Sequence, residues 1–216
     1  MIAILDYGAG NLTSVANVLE HLGHPYVITQ DPQEILSAKR LIFPGVGAAG
    51  SAMDELKKRG LDLVLSQFVQ SQKPVLGICV GCQILLDHSD ENGGTPTLGL
   101  ISGLVKKFDF SADESAQHNL KIPHMGWNQV HQSQNHVLWS GIPDGSEFYF
   151  VHSYYPELQS KQDVAATSTY GSQTFDAAFI KNNVIATQFH AEKSGEWGLK
   201  LVDNFCKWTP NTQGEI

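Results

Sequence analysis

The hydrophobic positions in the first half of the chain alternate between short β-branched runs and longer stretches with helical spacing. The short runs that predict buried strands are residues 2–5, 26–29, 41–43 and 75–78. The stretches whose apolar positions recur at helical intervals are residues 12–22 and 56–69. This order predicts βαβαβ winding around a mostly parallel sheet.

Glycine-rich segments follow two of the predicted strands. Residues 8–11 read Gly-Ala-Gly-Asn after the first strand, and residues 44–47 read Pro-Gly-Val-Gly after the third. Ligands of open α/β sheets bind beyond the carboxyl ends of the strands. Both segments are therefore candidates for the edge of a binding site.

The helical spacing fades in the second half, where a mixed or antiparallel region is expected. The predicted strands there are residues 147–151, 174–180 and 184–189. A last helix is predicted over residues 195–208, and the polar stretch 111–119 is predicted to be an exposed loop. Without a linker, repeat or low-complexity tract, residues 1–216 are expected to form a single domain.

Composition excludes several classes of function. The chain has 216 residues, 42% of them hydrophobic, and a net charge of −8. The acidic balance argues against a nucleic-acid surface, which needs clustered Lys and Arg. An early Asp6 and the lack of an apolar run of roughly 20 residues predict no signal peptide and no membrane span. An odd cysteine count of three argues against a disulfide framework. We therefore expect a cytoplasmic location.

The segment 74–83 carries the most informative motif. An apolar strand runs into a helix through Gly77, Cys79 and Gly81, the G-x-C-x-G form of the nucleophile elbow. Glycines are needed because a sharp strand-to-helix turn leaves no room for Cβ atoms. The motif predicts Cys79 exposed at the apex of the turn, where a helix N-terminus would stabilise a thiolate.

The spacing Cys79-x-x-Cys82 also permits a redox pair or half of a zinc site. A structural zinc site needs a second pair of ligands, and the remaining cysteine is the isolated Cys206. A thioredoxin-like pair is harder to exclude by spacing, although it does not require the preceding glycine elbow. We therefore expect no metal and no cofactor, with Cys82 packed in the core.

A cysteine nucleophile needs a base and a group that orients the base. His190 ends the predicted strand 184–189, and Glu192 lies two residues further on. In extended chain the two side chains would point the same way. An isolated His-x-Glu is a weak signal, but after a cysteine elbow it predicts a Cys79, His190, Glu192 triad.

Acyl transfer also needs donors for the oxyanion that develops on the substrate. Glycines in the segment 44–47 would let the backbone amides of Val46 and Gly47 approach a ligand closely. The amide of Val80, directly after the nucleophile, is the second candidate donor. An ordinary strand-to-helix turn is the alternative interpretation of the segment 44–47.

Together, the segments 44–47, 77–83 and 190–192 resemble the class I glutamine amidotransferases. The resemblance runs nearly end to end and implies a flavodoxin-like, α/β-hydrolase-like three-layer sandwich with a mixed, mostly parallel central sheet. It implies that Cys79 forms a γ-glutamyl thioester, His190 moves the proton and Glu192 orients it. The implied ligand is L-glutamine, held by Gln83 and the backbone around His152, Ser153 and Tyr154.

Segments 6–12, 121–128 and 149–154 resemble the branch of the family that supplies ammonia to a separate (β/α)8-barrel cyclase in histidine biosynthesis. A partner contact is then expected at large aromatic and Met side chains. The expected contact residues are Met125, Trp127, Asn128, Tyr149 and Lys193. The simpler interpretation of Trp127 is a core residue.

One residue departs from the family pattern, and three other functions are open. Ala191 stands where the family commonly has proline, which removes a fixed φ from the turn after His190. The alternatives are another class I amidotransferase, a cysteine hydrolase or peptidase on the same fold, and a binding module that has lost its chemistry. The segment 121–128 argues against the first, and the presence of both Cys79 and His190 argues against the last.

Overall fold

The apolar runs of the first half form four adjacent strands at one side of a large sheet. The computed structural model describes residues 1–210. The strands are β1 (Ile2–Leu5), β2 (Tyr26–Thr29), β3 (Arg40–Gly45), β4 (Val75–Cys79), β5 (His88–Ser89), β6 (Thr95–Pro96), β7 (Gly103–Lys107), β8 (His124–Gln132), β9 (Ser146–His152), β10 (Tyr154–Leu158), β11 (Val164–Tyr170), β12 (Gln173–Lys181) and β13 (Val184–Thr187). The α-helices are α1 (Leu12–His21), α2 (Pro32–Ser37), α3 (Ala49–Arg59), α4 (Leu61–Gln70), α5 (Val80–Ile84), α6 (Ala112–His118) and α7 (Gly195–Lys207).

The large sheet is mixed. Its strand order is β2-β1-β3-β4-β13-β12-β11-β8-β9. Pairing is parallel from β2 to β13 and antiparallel from β13 to β9. The parallel half confirms the winding predicted from the first half of the sequence, and the antiparallel half confirms the change of pattern in the second.

Helices cover the sheet in two groups, which gives the three layers. Helix α1 packs with α7, while α2 to α5 pack with one another. A smaller sheet, in the order β10-β7-β5-β6, lies beside the large one, and β10 also packs on β12. No helix within residues 1–210 has the length and apolar character needed to cross a bilayer.

The structure differs from the predictions at three helical segments, and each difference has a local cause. The predicted helix 56–69 is two helices, because Gly60 adopts a left-handed conformation (φ 67°) that ends α3. The predicted loop 111–119 contains helix α6, whose Ser111 hydroxyl accepts a hydrogen bond from the Glu114 amide. Helix α2 was missed, although Asp31 caps it and Pro32 occupies its first turn.

The crowding predicted at the elbow glycines is confirmed. A Cβ on Gly77 would lie 2.9 Å from Leu85 Cδ1 and 3.0 Å from the Gly81 carbonyl oxygen. A Cβ on Gly81 would lie 1.9 Å from the carbonyl oxygen of Phe43, which belongs to β3. Helix α5 therefore starts in close contact with the neighbouring strand, and this contact requires glycine.

Gly81→Ala is expected to destabilise the protein by about 3 kcal/mol or more, because the clash is with sheet backbone that cannot move alone. Chemical denaturation would measure the loss. Gly50→Ala is the control, since its Cβ would meet side chains and no backbone: Thr95 Oγ1 at 3.3 Å and Asn92 Nδ2 at 3.7 Å. Wild-type stability in Gly81→Ala would contradict the tight contact between α5 and β3.

Candidate active site

Cys79 ends β4 and immediately precedes α5, in a strained backbone conformation. Its φ of 54° and ψ of −111° are rare for a residue with a side chain. Such strain at a strand-to-helix turn is typical of a nucleophile elbow. The predicted exposure was wrong: the side chain of Cys79 is buried, with 4% of the residue accessible. The sulfur reaches solvent through a cavity and not at an open apex.

The cavity beside Cys79 has a volume of about 290 Å³. Its lining residues are Val46, Gly47, Cys79, Val80, Gln83, Glu91, Pro123, Val151, His152, Ser153, Tyr154 and His190. This set brings together the predicted nucleophile, base, oxyanion segment and substrate-holding residues. Three of its members were not predicted: Glu91, Pro123 and Val151.

His190 and Glu192 form a buried pair behind the cavity. His190 Nδ1 lies 2.7 Å from Glu192 Oε1, and both side chains are almost wholly inaccessible. The extended backbone expected between them was wrong, because Ala191–Lys193 is a 3-10 turn. Both side chains still meet, since the turn brings Glu192 back onto the imidazole. Ala191 therefore holds this turn without the ring of the usual proline.

The charges of this pair support each other. Burial by itself lowers the pKa of His190, but the Cys79 sulfur and the Glu192 carboxylate outweigh it and raise that pKa to about 10. Burial likewise raises the pKa of Glu192, but hydrogen bonds from His190 and Asn11 outweigh it, so the pKa is lowered overall. The site therefore favours imidazolium and carboxylate at neutral pH.

Asn11 is a site residue that the sequence reasoning missed. Its Nδ2 donates to Glu192 Oε1 at 3.0 Å, so this oxygen accepts from both Asn11 and His190. His190 Nδ1 must then be the donor, which leaves Nε2 turned away from Glu192. His190 Nε2 has no hydrogen-bond partner in the geometry of residues 1–210, and it is the ring nitrogen left to interact with the Cys79 sulfur that raises the pKa of His190. The available signal was the position of Asn11 after β1, at the carboxyl edge of the sheet.

Gln188 is the second residue that was missed. Its Nε2 lies 3.7 Å from Cys79 Sγ, and its Oε1 accepts from Gln83 Nε2 at 2.9 Å. Gln83 Nε2 also donates to the Tyr154 carbonyl at 3.0 Å. The Gln83 amide nitrogen is thus engaged within the protein, and Gln83 ties α5 to the cavity wall at Tyr154.

The predicted oxyanion segment leaves β3 directly over the nucleophile. Gly45 packs so closely on α5 that a Cβ there would lie 2.8 Å from the Gly81 amide nitrogen. Val46 and Gly47 follow it into the cavity lining, and Gly47 has a φ of 91° that favours glycine. The amide of Val80 begins α5 on the other side of the cysteine. The donor roles of these amides stay predictions.

Met125 and Trp127 lie on one face of β8, beside Tyr149, whereas Asn128 points to the opposite face, where its Nδ2 donates to the Thr169 carbonyl oxygen. Met125 is 62% exposed and Trp127 53%, so the core interpretation of Trp127 was wrong. The Trp127 ring packs edge-on against Tyr149, with 6.1 Å between centroids. Tyr149 accepts a backbone hydrogen bond from His190. Lys193 is exposed and has no ion pair within the described part of the chain. Asn128 is half-buried.

Comparison with known proteins decides the family. The family model described as "Glutamine amidotransferase class-I" matches residues 3–208. The chain belongs to this family. Among its curated relatives, the imidazole glycerol phosphate synthase subunit HisH of Nitratidesulfovibrio vulgaris (strain Miyazaki F) is 52% identical over 210 residues, 96% of this chain and 98% of the relative. That of Acinetobacter baylyi is 50% identical over 208 residues, with 96% and 98% covered.

Solved structures agree with this amidotransferase fold. A crystal structure of a glutamine amidotransferase superposes with a TM-score of 0.70 at 16% identity, covering 95% of this chain and 97% of the other. The structure of PurLQS from Thermotoga maritima gives a TM-score of 0.69 at 18% identity, with 95% and 96% covered. At these identities the likeness concerns the fold alone, and it agrees with the predicted three-layer α/β class.

Proposed function

We propose that this amidotransferase chain is the glutaminase subunit of an imidazole glycerol phosphate synthase, acting in histidine biosynthesis. It hydrolyses L-glutamine to glutamate and ammonia, and the ammonia passes to a (β/α)8-barrel cyclase subunit. The observation that carries the proposal is the buried Cys79, His190 and Glu192 set at one cavity. Its similarity to HisH subunits over nearly the whole chain supports the narrower assignment.

The first half of the reaction is acylation of Cys79. The thiolate attacks the side-chain amide carbon of glutamine, and the new C–S bond pushes electrons onto the amide oxygen. In this proposal the backbone amides of Val46, Gly47 and Val80, which line the same cavity, would stabilise that oxyanion. Imidazolium at His190 then gives its Nε2 proton to the leaving nitrogen, so ammonia departs and the thioester remains.

The second half is hydrolysis of the thioester. Neutral His190 takes a proton from water through Nε2, and the resulting hydroxide attacks the thioester carbon. Cleavage of the C–S bond releases glutamate and restores the thiolate. Glu192 holds the Nδ1–H tautomer throughout, and Asn11 holds Glu192.

The cavity wall supplies groups for the amino-acid end of glutamine. Glu91 is the carboxylate among the cavity-lining residues, and it suits the α-ammonium of the substrate. Its Oε2 accepts from the Ala49 amide at 2.7 Å, which holds the carboxylate at the start of α3. Ser153 and Tyr154, which we call the substrate-binding wall, add backbone groups to the lining of the same cavity.

The proposed cyclase contact is the face that contains Met125 and Trp127. Exposed aromatic and Met side chains favour a protein interface, and this face adjoins His190 through Tyr149. A cyclase docked here would form a heterodimer and receive ammonia directly. Lys193 would pair with an acidic residue of the cyclase. The reaction of the complete synthase would then be classified as that of a lyase.

Glutamate release measured under three conditions would test the proposal: the chain alone, with the cyclase, and with the cyclase plus its phosphorylated substrate. We expect slow release by the chain alone and a rise of about tenfold or more in the complete mixture, because a partner shifts only a state for which it has differential affinity. Release by the free chain at the full rate of the complex would contradict the coupling. Absence of glutamate release under all three conditions would contradict the proposed glutaminase activity.

Trp127→Ala is expected to weaken cyclase binding by about tenfold or more while leaving glutamate release by the free chain nearly unchanged. Truncation removes a half-exposed ring that lies outside the cavity. Titration calorimetry with the cyclase would measure the affinity. Leu63→Ala is the matched control, an exposed apolar truncation on α4. Equal affinities for the two variants would remove Trp127 from the interface.

A further inference from the structure

Two buried histidines face each other behind the substrate-binding wall. His124 begins β8 and His152 ends β9, and the two residues are direct cross-strand partners. His124 Nδ1 lies 3.0 Å from His152 Nε2, and the residues are 3% and 5% exposed. His152 lines the active-site cavity, whereas His124 does not.

The direction of the hydrogen bond between them follows from its neighbours. His152 Nδ1 lies 2.8 Å from the Tyr154 carbonyl oxygen, which can only accept, so Nδ1 carries the proton. A neutral imidazole has one N–H, so His152 Nε2 accepts and His124 Nδ1 donates. Both rings are therefore Nδ1–H tautomers.

The donor and acceptor at the outer end of this hydrogen-bond chain are determined in the same way. Asn128 Nδ2 donates to the Thr169 carbonyl at 2.9 Å, which fixes the orientation of the amide. The same nitrogen lies 3.4 Å from His124 Nε2, the remaining acceptor of that ring. Hydrogen bonds thus run in one direction from Asn128 through His124 and His152 to Tyr154.

The surroundings give no packing reason for two imidazoles. His124 stacks on Tyr170 at 4.1 Å between centroids, and His152 meets Phe108 edge-on at 5.1 Å. Phenylalanine would fill this aromatic cluster without burying ring nitrogens that need partners. Burial lowers the pKa of His124 to about 4 and that of His152 to about 3, so both rings are neutral at neutral pH.

The inner end of this hydrogen-bond chain, at Tyr154, lines the same cavity as Cys79. The Tyr154 carbonyl accepts from His152 Nδ1 on one side and from Gln83 Nε2 on the other. Gln83 belongs to α5, which begins directly after Cys79. The hydrogen bonds through His124 and His152, together with that of Gln83, set how far the Cys79 thiol lies from the wall formed by Ser153 and Tyr154.

We propose that His124 is a positioning residue for glutamine binding, and that its Nδ1–H, through His152, holds the wall at Tyr154 in place. The proposal rests on the proposed glutaminase reaction for its kinetic consequence. The tautomers of the two rings do not depend on that reaction.

Nitrogen-15 NMR of the histidine-labelled chain would test the tautomers directly. At pH 7.5 we expect two buried rings with Nδ1–H and unprotonated Nε2, and one of these signals to disappear in His124→Phe. An Nε2–H tautomer at either ring would overturn the direction of these hydrogen bonds and with it the proposal. This measurement tests the tautomers even if the protein does not hydrolyse glutamine.

Kinetics of the cyclase complex would test the positioning role. His124→Phe keeps the bulk of the ring but leaves His152 Nε2 without its donor, so we expect KM for glutamine to rise about ten- to a hundredfold. We expect kcat to change much less, because Cys79, His190 and Glu192 are untouched. His124→Asn should restore most of the affinity, since its amide nitrogen lies two bonds beyond Cβ, as Nδ1 does.

The control is His136→Phe, which removes a half-buried histidine that accepts from the Leu138 amide outside the cavity. It should lower thermal stability and leave KM unchanged. Equal KM values for His124→Phe and wild type would overturn the positioning role, and so would failure of His124→Asn to lower KM below that of His124→Phe. Absence of glutamate release by the wild-type complex would contradict the proposed function instead.

Discussion

Cys79→Ser is expected to lower glutamine hydrolysis by about 10⁴-fold or more, the scale of loss when a nucleophile is removed from a triad. Cys79 lines the cavity, and the strained backbone at this residue holds its side chain there. Serine keeps the size of the side chain, so the fold and cyclase binding should be preserved. Glutamate release and calorimetry with the cyclase would measure both effects.

The matched control is Cys82→Ala, which should retain a rate near that of wild type. Cys82 is fully inaccessible, and burial raises its pKa well above the usual thiol value. Burial also raises the pKa of Cys206 to about 12. An alkylating glutamine analogue should therefore label Cys79 alone, as read by peptide mass spectrometry. Label on Cys82 or Cys206 would remove Cys79 from its assigned role.

His190→Asn is expected to cost nearly as much as the loss of Cys79, and Glu192→Gln about tenfold less, because members of a triad act as a unit and the orienting acid is the most dispensable. Asparagine lacks the Nε2 that faces the thiol. Glutamine at 192 could still accept from Asn11 and His190 through its amide oxygen, but the negative charge that favours imidazolium would be lost. Single-turnover glutamate release would give both rates.

The order of the two variants is the decisive result. If Glu192→Gln were more damaged than His190→Asn, Glu192 would have a role other than orientation, such as binding the substrate amine. Asn11→Ala provides a comparison, since it removes one donor to Glu192 and leaves the charge. It should be milder than Glu192→Gln.

The elbow could be predicted from the local sequence because the residues that it requires are close together in the chain. Gly77, Cys79 and Gly81 lie within one turn, and a Cβ on Gly77 would meet the carbonyl oxygen of Gly81 in that same turn, whereas the collision at Gly81 is with the neighbouring strand β3. His190 and Glu192 are also close in sequence, so their pairing was predicted even though the backbone between them is a 3-10 turn. The capping signals at Asp31 and Ser111 were equally local and were overlooked.

The remaining parts of the site depend on strand order, which no short segment encodes. Asn11 contacts Glu192 across 181 residues, and Gln83 contacts Gln188 across 105, because β13 inserts beside β4 at the centre of the sheet. Cross-strand pairing of β8 with β9 likewise brings His124 to His152. The sequence by itself determined which residues can react, since sharp turns and alternating strands are local properties. Only the tertiary structure decided which further polar groups, Asn11 and Gln188, contact Glu192 and Cys79, because those contacts join segments that are distant in the chain.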